Sequence, residues 1–75
     1  MIGDIRYLLA QVPFRPFSVV TSSGMKYRIG SPDHAGFNPQ KTRVLIWFDD
    51  GSGVTIAALH VVALEDEEPP ASLAA

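Results

Sequence analysis

The 75-residue chain contains no cysteine. That excludes disulfides and thiolate metal sites, so no covalent staple is available to it. It has no stretch of about 18 uninterrupted apolar residues, and no membrane-spanning segment is expected. Asp4 and Arg6 interrupt the N-terminal segment before the apolar core of a secretion signal could build, so the expected location is cytoplasmic. An excess of positive charge is missing as well: six Lys and Arg against eight Asp and Glu leave a formal net charge of −2. A protein that relies on phosphate contacts carries a far more basic footprint. Nor does the chain hold a Gly-rich phosphate loop or a paired histidine spacing for a metal. Neither an enzymatic activity nor a cofactor is expected.

Length is the remaining shortage. A chain of this size makes one domain. Such a domain buries only about 60% of the surface that its unfolded chain exposes, and many depend on a staple or a partner subunit. Without a disulfide, stability has to come from tight packing, self-association or both.

The charge that is present sits unevenly. Glu65, Asp66, Glu67 and Glu68 form an acidic run, followed by Pro69, Pro70 and a segment of small residues. Residues 1–64 hold six basic and four acidic groups, a balance of +2. The division expected is one folded body over residues 1–65 and a solvated acidic, Pro- and Ala-rich tail over 66–75.

Ile2, Ile5, Leu8 and Leu9 recur at three- and four-residue spacings, which predicts a short helix over residues 1–11 with one apolar face. Asp4 falls in its first turn, where a negative charge suits the free amides, and Pro13 stops it. Pro13-Phe14-Arg15-Pro16-Phe17 is a stiff connector with two aromatic anchors. Residues 17–21 and 25–29 read as a hairpin around Ser22-Ser23-Gly24, with Met25, Tyr27 and Ile29 facing one way and Lys26 and Arg28 the other. A short edge strand with Phe37 turned inward is expected over 35–37, and Asn38-Pro39-Gln40-Lys41 reads as a tight turn. Residues 42–48 form the strongest strand, apolar on both faces: Val44, Ile46 and Phe48 on one, Leu45 and Trp47 on the other. Such a strand needs cover on both sides. Asp49-Asp50-Gly51-Ser52-Gly53 turns the chain into a strand over 54–56, and after a half-turn at 57–60 the last strand runs over 61–64. The fold class expected is α+β, mainly β: a short N-terminal helix, then four or five antiparallel strands in a strongly curved sheet that closes as a small barrel.

That order of elements resembles the Sm-like fold of the bacterial Sm-like RNA chaperones, a small barrel of the Sm-like or SH3-like kind. Ser23-Gly24-Met25-Lys26-Tyr27 looks like that family's glycine turn opening its second strand, and Ala58-Leu59-His60-Val61-Val62-Ala63 like its closing half-turn and strand. The resemblance implies RNA binding by an oligomer. Over residues 5–65 the chain also resembles an uncharacterised group of small bacterial proteins. The likeness rests on the Pro-Phe-x-Pro-Phe connector, the Ser23-Gly24 turn with Tyr27 and Ile29, Ser31-Pro32-Asp33-His34, and Leu59-His60-Val61 before Leu64-Glu65. It implies a shared fold and a bacterial origin.

The candidate residues follow from these placements. Leu45 and Trp47 on the second face of the central strand, with Val61 on the last strand, are expected at an interface between subunits. Lys26, Arg28 and Arg43 form the best anion- or RNA-facing set, although three charges suit a solvated sheet face equally well. Asp33 and His34 are the most compact titratable pair, but adjacent side chains point apart, and a solvated loop is the simpler reading. Asp49 and Asp50 are read as a hairpin turn rather than a calcium loop, which needs six or more oxygens. His60, between Leu59 and Val61, is expected in the core or at an interface. The leading expectation is a binding or scaffolding module that self-associates, and the alternative is an RNA-binding regulator.

Overall fold

The apolar spacing at the N-terminus produces a helix, α1 (Ile2–Leu9), in the computed structural model of the chain, which describes residues 1–66. It ends two residues short of the expected span. Ala10 closes it with its N–H 3.1 Å from the Arg6 carbonyl, because Val12 precedes a proline and is turned away from helical geometry. Ile5 is fully buried, while Ile2, Leu8 and Leu9 pack against the core. A helix of two turns does not persist alone, and this stripe is what holds it.

Six strands follow: β1 (Phe17–Thr21), β2 (Lys26–Ile29), β3 (Ala35–Phe37), β4 (Arg43–Trp47), β5 (Gly53–Ala57) and β6 (Val61–Asp66). Two hairpins share one construction. Thr21 donates its N–H to the Met25 carbonyl at 2.9 Å around Ser22-Ser23-Gly24, and Phe48 donates to Ser52 at 2.8 Å around Asp49-Asp50-Gly51. In each loop the third residue is a glycine with positive φ, +87° at Gly24 and +89° at Gly51. A three-residue loop needs that left-handed residue to re-enter the ladder, and glycine takes it without a Cβ penalty.

The strands form two three-stranded antiparallel sheets, ordered β2-β1-β6 and β3-β4-β5. Phe17, Val19 and Ile29 from the first sheet and Val44, Ile46 and Ile56 from the second join Ile5 and Val61 in one core. Phe48, just past β4, stacks on Tyr27 of β2 with ring centroids 6.3 Å apart, tying the sheets together. The α+β, mainly β class is therefore observed, with a correction to its finer form. The sheet is not one strongly curved surface of four or five strands, and the two sheets are not joined into a closed barrel. The last strand reaches Asp66, which pairs with Phe17, one residue past the expected edge of the body. The rest of the expected tail, residues 67–75, lies outside the described residues.

Candidate functional site

The register of the second sheet decides which side chains share its outer face. Leu45 lies opposite Gly36 on β3 and Thr55 on β5, while Trp47 lies opposite Gly53 and Arg43 opposite Ala57. Side chains alternate along a strand, so with Val44 and Ile46 fully buried, Arg43, Leu45 and Trp47 share the other side. Leu45 is half-buried and Trp47 is 43% exposed. Both faces of β4 are apolar, as its composition predicts, and among the described residues the outer one is left without a covering layer.

Trp47 lies flat on that face because its neighbours have no side chains. A Cβ added to Gly36 would come 3.5 Å from Cζ3 and Cη2 of the indole. One added to Gly53 would come 3.2 Å from Cδ1 and 2.8 Å from the Ile46 carbonyl oxygen. The ring thus spans from β5 towards β3 over a glycine floor, with its other side open to solvent. Sequence reasoning found the tryptophan but not its seat, because the glycines are assigned to it only by strand pairing.

The basic residues are not gathered in the same way. Lys26 and Arg28 lie on β2 in the first sheet and Arg43 on β4 in the second. Lys26 Nζ is 2.8 Å from Glu65 Oε1 on β6, an ion pair reaching across β1. Arg28 lies close to Gly30, its Nη1 3.1 Å from where a Cβ there would begin.

Asp33 and His34 fall on a single 3₁₀ turn over Pro32–His34. His34 faces Asp49 in the β4–β5 loop, Nδ1 to Oδ1 3.9 Å. Asp50 accepts hydrogen bonds from the Ser52 hydroxyl at 2.6 Å and the Ser52 amide at 2.9 Å. Those two contacts hold its carboxyl below the ordinary value of 3.8. Among the described residues no group of three or more His, Asp or Glu is placed to hold a metal.

His60 is exposed, on a second 3₁₀ turn over Ala58–His60, not in the core. Its Nδ1 lies 3.5 Å from the Ser22 hydroxyl. Both line a shallow cleft of about 370 Å³ between the β1–β2 loop and β5, with Thr21, Tyr27, Thr55 and Ile56 among its walls. Val61 is 7% exposed and belongs to the core, whereas its neighbour Val62 is 55% exposed. Val61, expected at an interface, thus lies in the core of the chain, and Val62 is the exposed one of the two. The register shift between Val20 and Thr21 opposite β6 changes which residues share a face, and no periodicity signals it. Leu59, 80% exposed, adds to the apolar surface at this turn.

No family model matches the chain, and neither does any curated protein or solved structure. Among the described residues no helix is long and apolar enough to cross a membrane.

Proposed function

We propose that the chain is a cytoplasmic binding or scaffolding module that works as a self-associated assembly, with Leu45 and Trp47 at its contact surface. The observation that carries this reading is the uncovered outer face of the second sheet, where a tryptophan is held open to solvent on two glycines. A large apolar side chain fixed in that way is what an interface uses, since little conformational freedom is left to lose on contact. The exposed Leu59 and Val62 extend the same argument to the start of β6. Sedimentation velocity of the full chain at micromolar concentration tests it. A species larger than the monomer is expected, weakened in Trp47→Asp, and a monomer throughout would overturn the reading.

RNA binding by an Sm-like barrel is the alternative proposal, and it has less support. Its three cations belong to two different sheets, and one of them is already paired with Glu65. It predicts binding of short mixed-sequence RNAs that falls steeply with added salt. No retention at low salt removes it.

A further inference from the structure

The edge of a sheet presents unpaired amide and carbonyl groups, and natural proteins protect such edges with charge, proline, shortness or a bulge. Of the four edge strands described, three carry such protection. β2 has Lys26 and Arg28, β3 is only three residues long, and β6 has Glu65, Asp66 and a register shift against β1. β5 has none of these. Its sequence Gly-Val-Thr-Ile-Ala carries no charge and no proline, and its register against β4 is unbroken.

The hydrogen-bond parity shows what that edge offers. Phe48 bonds to Ser52 and Ala58 to Thr42 at the two ends of the β4–β5 ladder. Bonded pairs alternate in an antiparallel ladder, so Val54 and Ile56 direct their backbone groups to β4. Gly53 and Thr55 turn theirs outward, as does the amide of Ala57, whose carbonyl is taken by the 3₁₀ turn that it caps.

We propose that β5 pairs antiparallel with β5 of a second copy about a two-fold axis at Thr55. This rests on the self-association reading above and adds to it a second contact, the edge of the sheet beside the Leu45 and Trp47 face. In that register Thr55 faces its own copy, and Gly53 faces Ala57 of the second chain. The two Thr55 residues then exchange both of their bonds, and each Ala57 amide donates to the Gly53 carbonyl of the other copy. The two three-stranded sheets become one six-stranded sheet. No like charges meet at the join, because β5 has none. The side chains of Val54 and Ile56 point to the inner face, so those of the second copy come over the cleft beside Thr21 and Tyr27. On the outer face Trp47 of one chain and Arg43 of the other share a row, with only Gly53 and Ala57 between them. The outer face of a three-stranded sheet is small beside the roughly 800 Å² per partner of a stable interface. The strand join supplies a contact of its own, leaves Leu45 and Trp47 uncovered, and sets the two outer faces side by side on one sheet.

Single cysteines test the register, because the chain has none of its own. Paired Thr55 residues would have Cα atoms about 5.5 Å apart, within disulfide range. Two Ala57 residues would be offset by four positions along the strands, out of that range. Mild oxidation is therefore expected to link Thr55→Cys into a covalent dimer and to leave Ala57→Cys unlinked. Thr55→Pro removes an outward N–H and no internal ladder bond, and it is expected to sediment as a monomer with an unchanged circular dichroism spectrum. If that variant does not fold, the cysteine pair decides. A self-associated wild type in which Thr55→Cys links no faster than Ala57→Cys overturns the β5 join and leaves the broader reading standing. A wild type that is monomeric throughout overturns both.

Discussion

The indole of Trp47 lies across Gly36, with Cζ3 and Cη2 3.5 Å from the point where a side chain would begin. That separation is ordinary van der Waals contact, so Gly36→Ala is expected to be nearly neutral for stability. Gly53 differs, because its Cβ would stand 2.8 Å from the Ile46 carbonyl oxygen, a backbone atom that cannot swing aside. Gly53→Ala is expected to cost about 1–3 kcal/mol through overpacking. Denaturant titration of the two variants, followed by the fluorescence of the one tryptophan, checks both. Equal losses would contradict the close approach of Gly53 to the Ile46 carbonyl.

The core is small enough for one truncation to matter. Ile46 is fully buried on β4 among residues of both sheets, and Ile46→Ala is expected to cost about 2–5 kcal/mol. A domain of this length has only about 4–11 kcal/mol in all. Truncation to Ala at Val12, which is 95% exposed, is expected to stay within about 0.5 kcal/mol. Urea midpoints of the two variants at equal protein concentration distinguish them.

The turn before β4 is held by one side chain. Asn38 Oδ1 accepts from the amides of Thr42 at 2.8 Å and Arg43 at 2.7 Å, and its Nδ2 donates to Thr42 Oγ1 at 2.8 Å. Lys41 is carried into the left-handed region at φ +57°, an unfavourable place for a residue with a Cβ. Asn38→Ala is expected to lose about 1 kcal/mol. Lys41→Gly is expected to gain about 0.5 kcal/mol, the relief of strain exceeding the added chain entropy. Thermal melts showing the opposite order would contradict this account of the turn.

Lys26 and Glu65 join the outer strands of the first sheet across β1 at 2.8 Å. Both side chains are more than half exposed, which limits an ion pair to about 0–1 kcal/mol. Lys26→Ala is expected to fall inside that range, and a double-mutant cycle with Glu65→Ala measures the coupling. The coupling is expected to shrink as salt is added.

Much of this architecture was legible in the residues. The stripe Ile2, Ile5, Leu8 and Leu9, both glycine loops, and the two-sided apolar character of residues 44–47 each follow from short-range pattern, and each is observed. What was not legible depends on pairing between distant segments. Strand alternation says that Lys26 and Arg28 share a face, but it does not say that Arg43 belongs to another sheet. Nothing local shows that β6 shifts register against β1 and so buries Val61 in place of Val62. Barrel closure was expected from strand count and shortness, yet closure depends on how two sheets meet, which neither quantity determines. The edge of β5, unpaired among the described residues, is of the same kind, since an edge is defined by pairing and not by local pattern.

The Asp50–Ser52 contact carries a pH dependence whose sign follows from its direction. The Ser52 hydroxyl, then the Ser52 amide, stabilise the ionised carboxylate and lower its pKa from 3.8. A depressed folded value means that the stabilisation is present above the unfolded pKa and is lost as the pH falls through the folded one. The β4–β5 loop is therefore expected to hold its geometry at neutral pH and to loosen only below about pH 4, when the carboxyl protonates. Ser52→Ala removes the largest of the lowering contacts, and Asp50 is expected to titrate closer to 3.8 in that variant. Carboxyl carbon shifts followed by NMR through acid pH measure this directly. The loss of stability on acidification is expected to be smaller in Ser52→Ala than in the wild type, because less of it depends on the charge. A Ser52→Ala variant in which Asp50 keeps its low pKa would show that the hydroxyl does not set it.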